Sequence, residues 1–130
     1  MPHELVLHHL QQQGRICRID AVQKAQRLAQ EQHSLVRLQQ RESSYLNVYD
    51  QLFRLVSIWL LQQGYDLTNF QPHQVLKMVC RVHFSTLAIE SMVQHRHELK
   101  KGQTQAVSKA AWADLQHCYQ YFSQLLQACD

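Results

Sequence analysis

Residues 43–64 read SSYLNVYDQLFRLVSIWLLQQG, and this stretch decides the fold class. Its aromatic and apolar side chains recur at intervals of four, three, four and three residues, at Tyr45, Tyr49, Leu52, Val56 and Trp59. A second apolar stripe lies beside the first, at Leu46, Phe53 and Leu60. A helix that is apolar over so much of its circumference lies at the centre of a bundle. We therefore predict a central helix that is capped by Ser43 or Ser44 and ends at Gly64.

The chain has only three glycines, and they mark the predicted helix ends at Gly14, Gly64 and Gly102. An amphipathic segment over residues 2–13 ends at Gly14. Asp20 is a good capping residue for a second helix, which runs to about Gln40. Residues 65–71 are predicted to form a loop, and Pro72 suits the first position of a fourth helix that continues to Gly102.

The fifth predicted helix begins after Ser108, which can cap it. Its core stripe comprises Val107, Ala111, Leu115, Cys118, Phe122, Leu125 and Cys129. Because the connections are short, consecutive helices should be antiparallel neighbours. The prediction is an all-α fold, an up-and-down antiparallel bundle of four to five helices. It forms one domain over residues 1–130, with its core in residues 20–128.

Composition limits the class of protein. The chain has 130 residues, 45% of them hydrophobic, and a formal net charge of +3. That length suits one domain with a core of its own. No apolar run approaches the length of a membrane span, and the first residues lack a basic segment followed by an apolar one. We expect a cytoplasmic protein that does not contact a membrane.

The cysteines and histidines do not show the spacing of a metal site. The four cysteines, Cys17, Cys80, Cys118 and Cys129, form no CxxC pair, and the last three fall in phase with apolar helical positions. No two of the nine histidines are three or four residues apart, which is the spacing that lets one helix chelate an ion. We predict core thiols, no metal and no cofactor.

The sequence contains few motifs that are typical of catalytic or ligand-binding sites. No phosphate-binding loop or nucleophile elbow occurs, and we predict no catalytic residues. Asp50 and Arg54, four residues apart on the central helix, are interpreted as an ordinary helix-surface ion pair, with a buried functional pair as the alternative.

The best candidate site is the cationic end of the fourth helix. Its members are His95, Arg96, His97, Lys100 and Lys101, with Lys77 and Arg81 earlier on the same predicted helix. Such a cluster could bind the phosphates of a nucleic acid. The alternative is a solvated helix end whose lysines interact favourably with the helix dipole.

Three stretches carry a resemblance to a known family. The first is the central helix, with Tyr45-x3-Tyr49-x2-Leu52-x2-Leu55-x3-Trp59 and a closing Gly64-Tyr65. The second is Pro72-His73 at the start of the next helix. The third is the Arg96-containing helix end followed by Val107-Ser108. On these features residues 20–127 resemble the HEPN superfamily of small helical bundles.

The resemblance implies a homodimer and an association with RNA cleavage in toxin–antitoxin, phage-defence or stress systems. Active members of the family use an arginine and a catalytic histidine that follows it with four to six residues between them. Arg96 stands where that arginine is expected, but Lys101, Gly102 and Gln103 stand where the histidine should be. We therefore expect a non-catalytic HEPN-like module that binds nucleic acid, a nucleotide or a protein partner.

Two alternatives stay open. One is a stoichiometric interaction or regulatory protein, such as an antitoxin or inhibitor, that does not bind nucleic acid. It is suggested by aromatic residues that we expect to be exposed because one bundle interior cannot accommodate them all: Phe70, Trp112, Tyr119 and Tyr121. The other is an active ribonuclease that uses His95 or His97 together with Arg96.

Overall fold

The structure, a computed structural model, describes residues 3–84 and 88–128. Within them the chain is mostly helical, as predicted, with six helices and one small sheet. The elements are α1 (His3–Gln12), β1 (Ile16–Arg18), α2 (Ala21–Gln39), α3 (Tyr45–Gln62), β2 (Tyr65–Leu67), α4 (Pro72–His83), α5 (Ile89–Lys100) and α6 (Lys109–Ala128). None of the helices in this part of the chain is long and apolar enough to cross a membrane.

Helix α3 is the centre of the fold, as its sequence predicts. Tyr49, Leu52 and Leu60 are fully buried, and most of the remaining α3 side chains are buried as well. Helices α2 and α6 make the most extensive contacts with α3, and α4 and α5 also pack against it. The helix begins after Ser44, whose hydroxyl accepts a hydrogen bond from the Asn47 N–H (3.1 Å).

The other predicted helix starts are confirmed. Asp20 caps α2, because its carboxylate accepts a hydrogen bond from the Gln23 N–H (2.8 Å) and the Gln23 side chain accepts one from the Asp20 N–H (3.3 Å). Pro72 is the first residue of α4. Ser108 precedes α6 and accepts a hydrogen bond from the Ala111 N–H (3.3 Å).

The glycines end helices as predicted. All three have a positive φ, of 75° at Gly14, 92° at Gly64 and 72° at Gly102. After α1, the N–H of Gly14 donates to the carbonyl of Gln11 and the N–H of Arg15 donates to that of Leu10, both at 3.0 Å. This pair of bonds is a Schellman motif, which requires the left-handed conformation that glycine adopts at little cost.

The predicted fourth helix is wrong in one respect, because it is two helices. Helix α4 ends at His83, Phe84 is extended (φ −132°, ψ 102°), and α5 begins at Ile89. The Phe84 ring is buried, with its centre 4.8 Å from that of Tyr121 on α6. Val82 and Ile89 are seven residues apart, so the apolar stripe stays in phase across the interruption and the sequence pattern conceals it.

The predicted loop after α3 contains a strand. Tyr65–Leu67 pairs antiparallel with Ile16–Arg18, with Ile16 opposite Leu67 and Arg18 opposite Tyr65. Strands of three residues are too short to show the alternation by which a strand is recognised in a sequence. Ile16 is fully buried and fixes this small sheet against the helices.

The predicted core of α6 and the predicted thiols need two corrections. Val107 lies before the helix and is 46% exposed, so it is not part of the core stripe. Cys80 and Cys118 are buried as expected, whereas Cys17 is exposed on β1. Cys129 lies outside the described residues.

Helix α2 packs against α3 around one buried ion cluster. Along α2, all of which the structure describes, the one buried residue is Glu31, which is 2% exposed. Its carboxylate accepts hydrogen bonds from Arg27 (2.8 Å) and from Nη1 of Arg54 on α3 (3.0 and 3.1 Å). Arg27 also bonds Asp66 on β2 (2.8 Å), and this bond is the main reason that its pKa is raised. The α2 leucines Leu28 and Leu35 are only partly buried against the core.

We predict that Glu31→Gln lowers the free energy of unfolding by about 1–3 kcal/mol, because both arginines lose a charged acceptor at a buried position. Urea denaturation measures the change. Glu42→Gln is the matched control, since Glu42 is exposed, and it should change stability by less than about 0.5 kcal/mol. Equal stabilities of Glu31→Gln and the unaltered protein would contradict this role.

Candidate nucleic-acid interface

Three side chains from three helices meet at the start of α4, and we name them the His73 cluster. His73 is the second residue of α4, and its Nδ1 lies 2.9 Å from the hydroxyl oxygen of Tyr49 on α3. On the other side of the ring, Nε2 lies 3.5 Å from Nη1 of Arg96 on α5. The cluster therefore depends on the packing of α4 and α5 against α3.

The donors fix the protonation of His73. A guanidinium has no acceptor, so the Nε2 atom that faces Arg96 carries a lone pair. In the tautomer that accepts a hydrogen bond from Arg96, the proton is on Nδ1, which donates to the Tyr49 oxygen. Burial, and next the charge of Arg96, lower the pKa of His73, with smaller effects in the same direction from Lys100 and His97. Asp50 acts in the opposite direction.

Arg96 has no anionic partner among the described residues. Its Cζ lies 5.3 Å from the centre of the Tyr49 ring, which is a cation–π contact. Its Nε is buried and makes no hydrogen bond with any residue that the structure describes. Burial raises the pKa of Tyr49, so that side chain stays a neutral phenol. The buried Nε is out of reach of a ligand, but a half-buried guanidinium without a carboxylate partner can still offer its terminal nitrogens to an anion such as phosphate.

A cleft beside the His73 cluster lies between the end of α2 and the first half of α3. We name it the basic cleft; it has a volume of about 360 Å³ and is lined by Ser34, Arg37, Leu38, Arg41, Asp50, Phe53 and Arg54. Phe53 joins the two features, because its ring centre lies 5.3 Å from that of His73. The cleft and the cluster are thus parts of one surface.

The basic cleft carries more positive than negative charge. Arg54 uses Nη1 to bond Glu31. Within the described residues, the side chains of Arg37 and Arg41 make no hydrogen bond or ion pair, and neither does that of Asp50. The predicted ion pair between Asp50 and Arg54 is therefore wrong, because Arg54 forms its ion pair with Glu31 on the facing helix instead.

Two of the phosphate ligands predicted from the sequence are already paired with a carboxylate. Lys77 and Arg81 both bind Glu90, across the junction of α4 and α5, with the Lys77 amino group 3.3 Å from a Glu90 oxygen. These contacts, chiefly the one with Lys77, lower the pKa of Glu90. The two cations therefore connect α4 to α5, and among the described residues neither makes a hydrogen bond or ion pair with a member of the His73 cluster.

The remaining predicted ligands are divided between the interior and the surface. His95 is buried, and its Nε2 accepts a hydrogen bond from the Ser108 N–H (3.1 Å), which fixes the start of α6 against α5. His97, Lys100 and Lys101 are exposed at the end of α5. Of the predicted set, Arg96 is the member that belongs to the His73 cluster, with His97 and Lys100 close enough to influence His73.

Sequence reasoning missed the cleft. Arg37 and Arg41 are four residues apart near the end of the polar helix α2, and Arg54 lies on the helix that follows. Only the antiparallel packing of α2 on α3 brings the three together, and a charge pattern on one helix does not reveal it. In the sequence, His73 is marked only by its position next to Pro72 at the start of a helix.

The aromatic residues expected at the surface and the possible metal ligands also have defined positions in the structure. Of the four aromatic residues expected at the surface, Phe70 is half exposed and stacks beneath Arg15, whereas the others are partly buried against the core: Trp112, Tyr119 and Tyr121. Across residues 3–84 and 88–128, no three histidine, cysteine or acidic side chains are grouped so that they could hold a metal ion.

No protein-family model, curated protein or solved structure matches the chain. The HEPN-like relationship therefore stays a prediction from the sequence.

We predict that His73 makes stability depend on pH. Its pKa is lower in the folded chain than the value of about 6.5 in the unfolded chain, so the unfolded chain binds more protons below about pH 6.5. The free energy of unfolding should fall as the pH is lowered from about 7 to about 5. In His73→Gln this fall should be smaller.

Urea titrations of both proteins at each pH measure the difference. His33→Gln, at an exposed position on α2, is the control and should keep the full pH dependence. Identical pH profiles for His73→Gln and the unaltered protein would contradict the assignment.

Proposed function

We propose that the protein binds single-stranded nucleic acid, with the phosphate backbone along the basic cleft and the His73 cluster. The observation that carries the proposal is the convergence of Arg37, Arg41 and Arg96 on one surface. None of the three has an ion-pair partner among the described residues. Side chains with this property give affinity for phosphates, since no protein carboxylate competes for them.

The shape of the surface favours a single strand. The cleft is a concavity between two helices, and Phe53 lies at the point where it meets the His73 cluster. Proteins that bind single strands combine a cationic groove with aromatic side chains on which bases stack. Arginine contributes to both interactions, because its planar group binds phosphate and stacks on rings.

A second candidate function, cleavage of RNA, is favoured by the His73–Arg96 pair. When a bound phosphate takes the Arg96 guanidinium away from Nε2 of neutral His73, the lone pair of that atom can take the proton of a ribose 2′-hydroxyl while that oxygen attacks the adjacent phosphorus. The bond between phosphorus and the 5′ oxygen then breaks, and that oxygen gains the proton that protonated His73 gives up, directly or through water, which returns His73 to its neutral form. The Arg96 guanidinium stabilises the negative charge that develops on the phosphate oxygens. In this arrangement His73 takes the role that the sequence suggested for His95 or His97.

The other expectations stay predictions. A homodimer, a protein partner and a place in toxin–antitoxin or defence systems follow from the family resemblance or from exposed side chains, and they concern contacts with other molecules. The proposal of nucleic-acid binding does not depend on them.

We predict that replacing both Arg37 and Arg41 by alanine weakens binding to single-stranded RNA by about tenfold or more at low salt. The slope of log affinity against log salt should become shallower by roughly one to two, because fewer counterions are released. Fluorescence anisotropy over a salt series measures both quantities.

Arg81→Ala is the matched control. It removes one guanidinium, where the double variant removes two, and Arg81 lies eight residues beyond His73 on α4, at about 12 Å of helix rise. It should change affinity by less than about threefold. The proposal fails if the unaltered protein does not bind RNA at low salt, or if the control weakens binding as much as the double variant.

For the second candidate function, we predict that mixed RNA is cleaved to products with 2′,3′-cyclic phosphate ends. His73→Ala and Arg96→Ala should each slow cleavage by about a hundredfold or more. His97→Ala, at the exposed neighbour of Arg96, should cleave at close to the unaltered rate. Gel analysis with end-group mapping tests this. If RNA stays intact, or if His73→Ala cleaves it normally, this candidate is discarded while the binding proposal stands.

A further inference from the structure

Asp50 is an acidic residue in an otherwise basic cleft. Its side chain is half-buried on α3, and it shares the cleft lining with Arg37, Arg41 and Arg54. Within the described part of the chain, this carboxylate makes no hydrogen bond and no ion pair, although three guanidinium groups line the same cleft. Both of its oxygens are therefore available as acceptors for a ligand.

A carboxylate opposes phosphate binding, so a cleft that served phosphate alone would be better without it. A free carboxylate does, however, accept two parallel hydrogen bonds from a group that presents two adjacent donors. Among the common nucleobases, guanine has such a pair on its Watson–Crick edge, N1–H and the N2 amino group. Adenine and cytosine place a ring acceptor beside their amino group, and uracil flanks its N3–H with two carbonyl groups.

The geometry points to Asp50 as the residue that makes this cleft selective for guanine. We propose that Asp50 accepts from N1–H and N2–H of a guanine base while Arg37 and Arg41 bind the attached phosphates. Phe53, in the same lining, offers a ring on which the base stacks. The cleft volume of about 360 Å³ lies within the range of roughly 300–1,000 Å³ that is usual for small-ligand sites. This inference rests on the proposed nucleic-acid binding.

Guanine can come from a strand or from a free nucleotide, and the test has an arm for each. The first arm uses labelled oligouridylates of about ten nucleotides that carry one central guanine, inosine, adenine or uracil. Inosine keeps N1–H and lacks the N2 amino group. The second arm measures how well GMP and AMP displace the labelled guanine oligonucleotide.

We expect the guanine oligonucleotide to bind about tenfold more tightly than the adenine and uracil ones, with inosine between them. In Asp50→Asn this preference should fall to within about twofold, because the amide replaces one acceptor by a donor. The same variant should bind the all-uridine oligonucleotide more tightly, because it lacks one negative charge. Asp114→Asn removes a charge from a different groove, between α5 and α6, and should keep the preference.

A purely electrostatic role for Asp50 gives a different result, since Asp50→Asn would then strengthen binding to every oligonucleotide equally. That outcome would overturn the inference, and so would equal binding of guanine, inosine and adenine by the unaltered protein, a comparison that needs no variant. In either case binding itself would persist, and the proposed function would stand. Failure to bind any of the oligonucleotides or GMP would overturn both the inference and the proposed function.

The second arm distinguishes the two sources of guanine. If GMP displaces the labelled oligonucleotide better than AMP does, the site accepts free nucleotides. A preference for guanine that is seen only with oligonucleotides assigns the site to a strand.

Discussion

The bonds of the Glu31 carboxylate to Arg27 and Arg54 are the interaction on which the candidate site depends. A buried carboxylate is tolerable only when its oxygens are bonded, and here two guanidinium groups bond it. Through them α2 is joined to α3 and, by way of Asp66, to β2. The end of α2 that carries Arg37 is held beside the first half of α3 by this ion cluster together with the hydrogen bond that Asn47 Nδ2 donates to the Leu38 carbonyl (3.0 Å).

The His73 cluster shows a second way in which the interior supports the surface. Tyr49 is fully buried, yet its hydroxyl oxygen bonds the His73 ring and the face of its own ring lies under Arg96. One core side chain therefore orients a residue of α4 and a residue of α5. The same arrangement lowers the pKa of His73 and so favours its neutral form, because burial and the neighbouring guanidinium both disfavour a second positive charge.

Much of the fold could be predicted from the sequence, and the reasons differ from element to element. Helix α3 was predictable because apolar residues at helical spacing cover most of its circumference, which indicates a buried helix. The helix starts at Asp20, Ser44 and Ser108 were predictable because capping is local. The interruption at Phe84 was concealed by a stripe that stays in phase. Most of the candidate site could not be predicted. Arg96 could be selected within a charged run of the sequence. Tertiary packing alone, however, places Arg96 close to His73 and Arg37 close to Arg54.

The attachment of α2 has a consequence for how the molecule fluctuates. Helix α3 is enclosed by apolar contacts, whereas α2 buries one charged residue and leaves Val22 and Val36 exposed. The free energy of local opening is smallest where few apolar contacts must be broken. Helix α2 should therefore detach at a lower energetic cost than global unfolding, and its amide hydrogens should exchange with solvent before those of α3. A ligand that contacts both walls of the cleft would slow that exchange. Binding would then be detectable as slower amide exchange in α2, even if the average structure did not change.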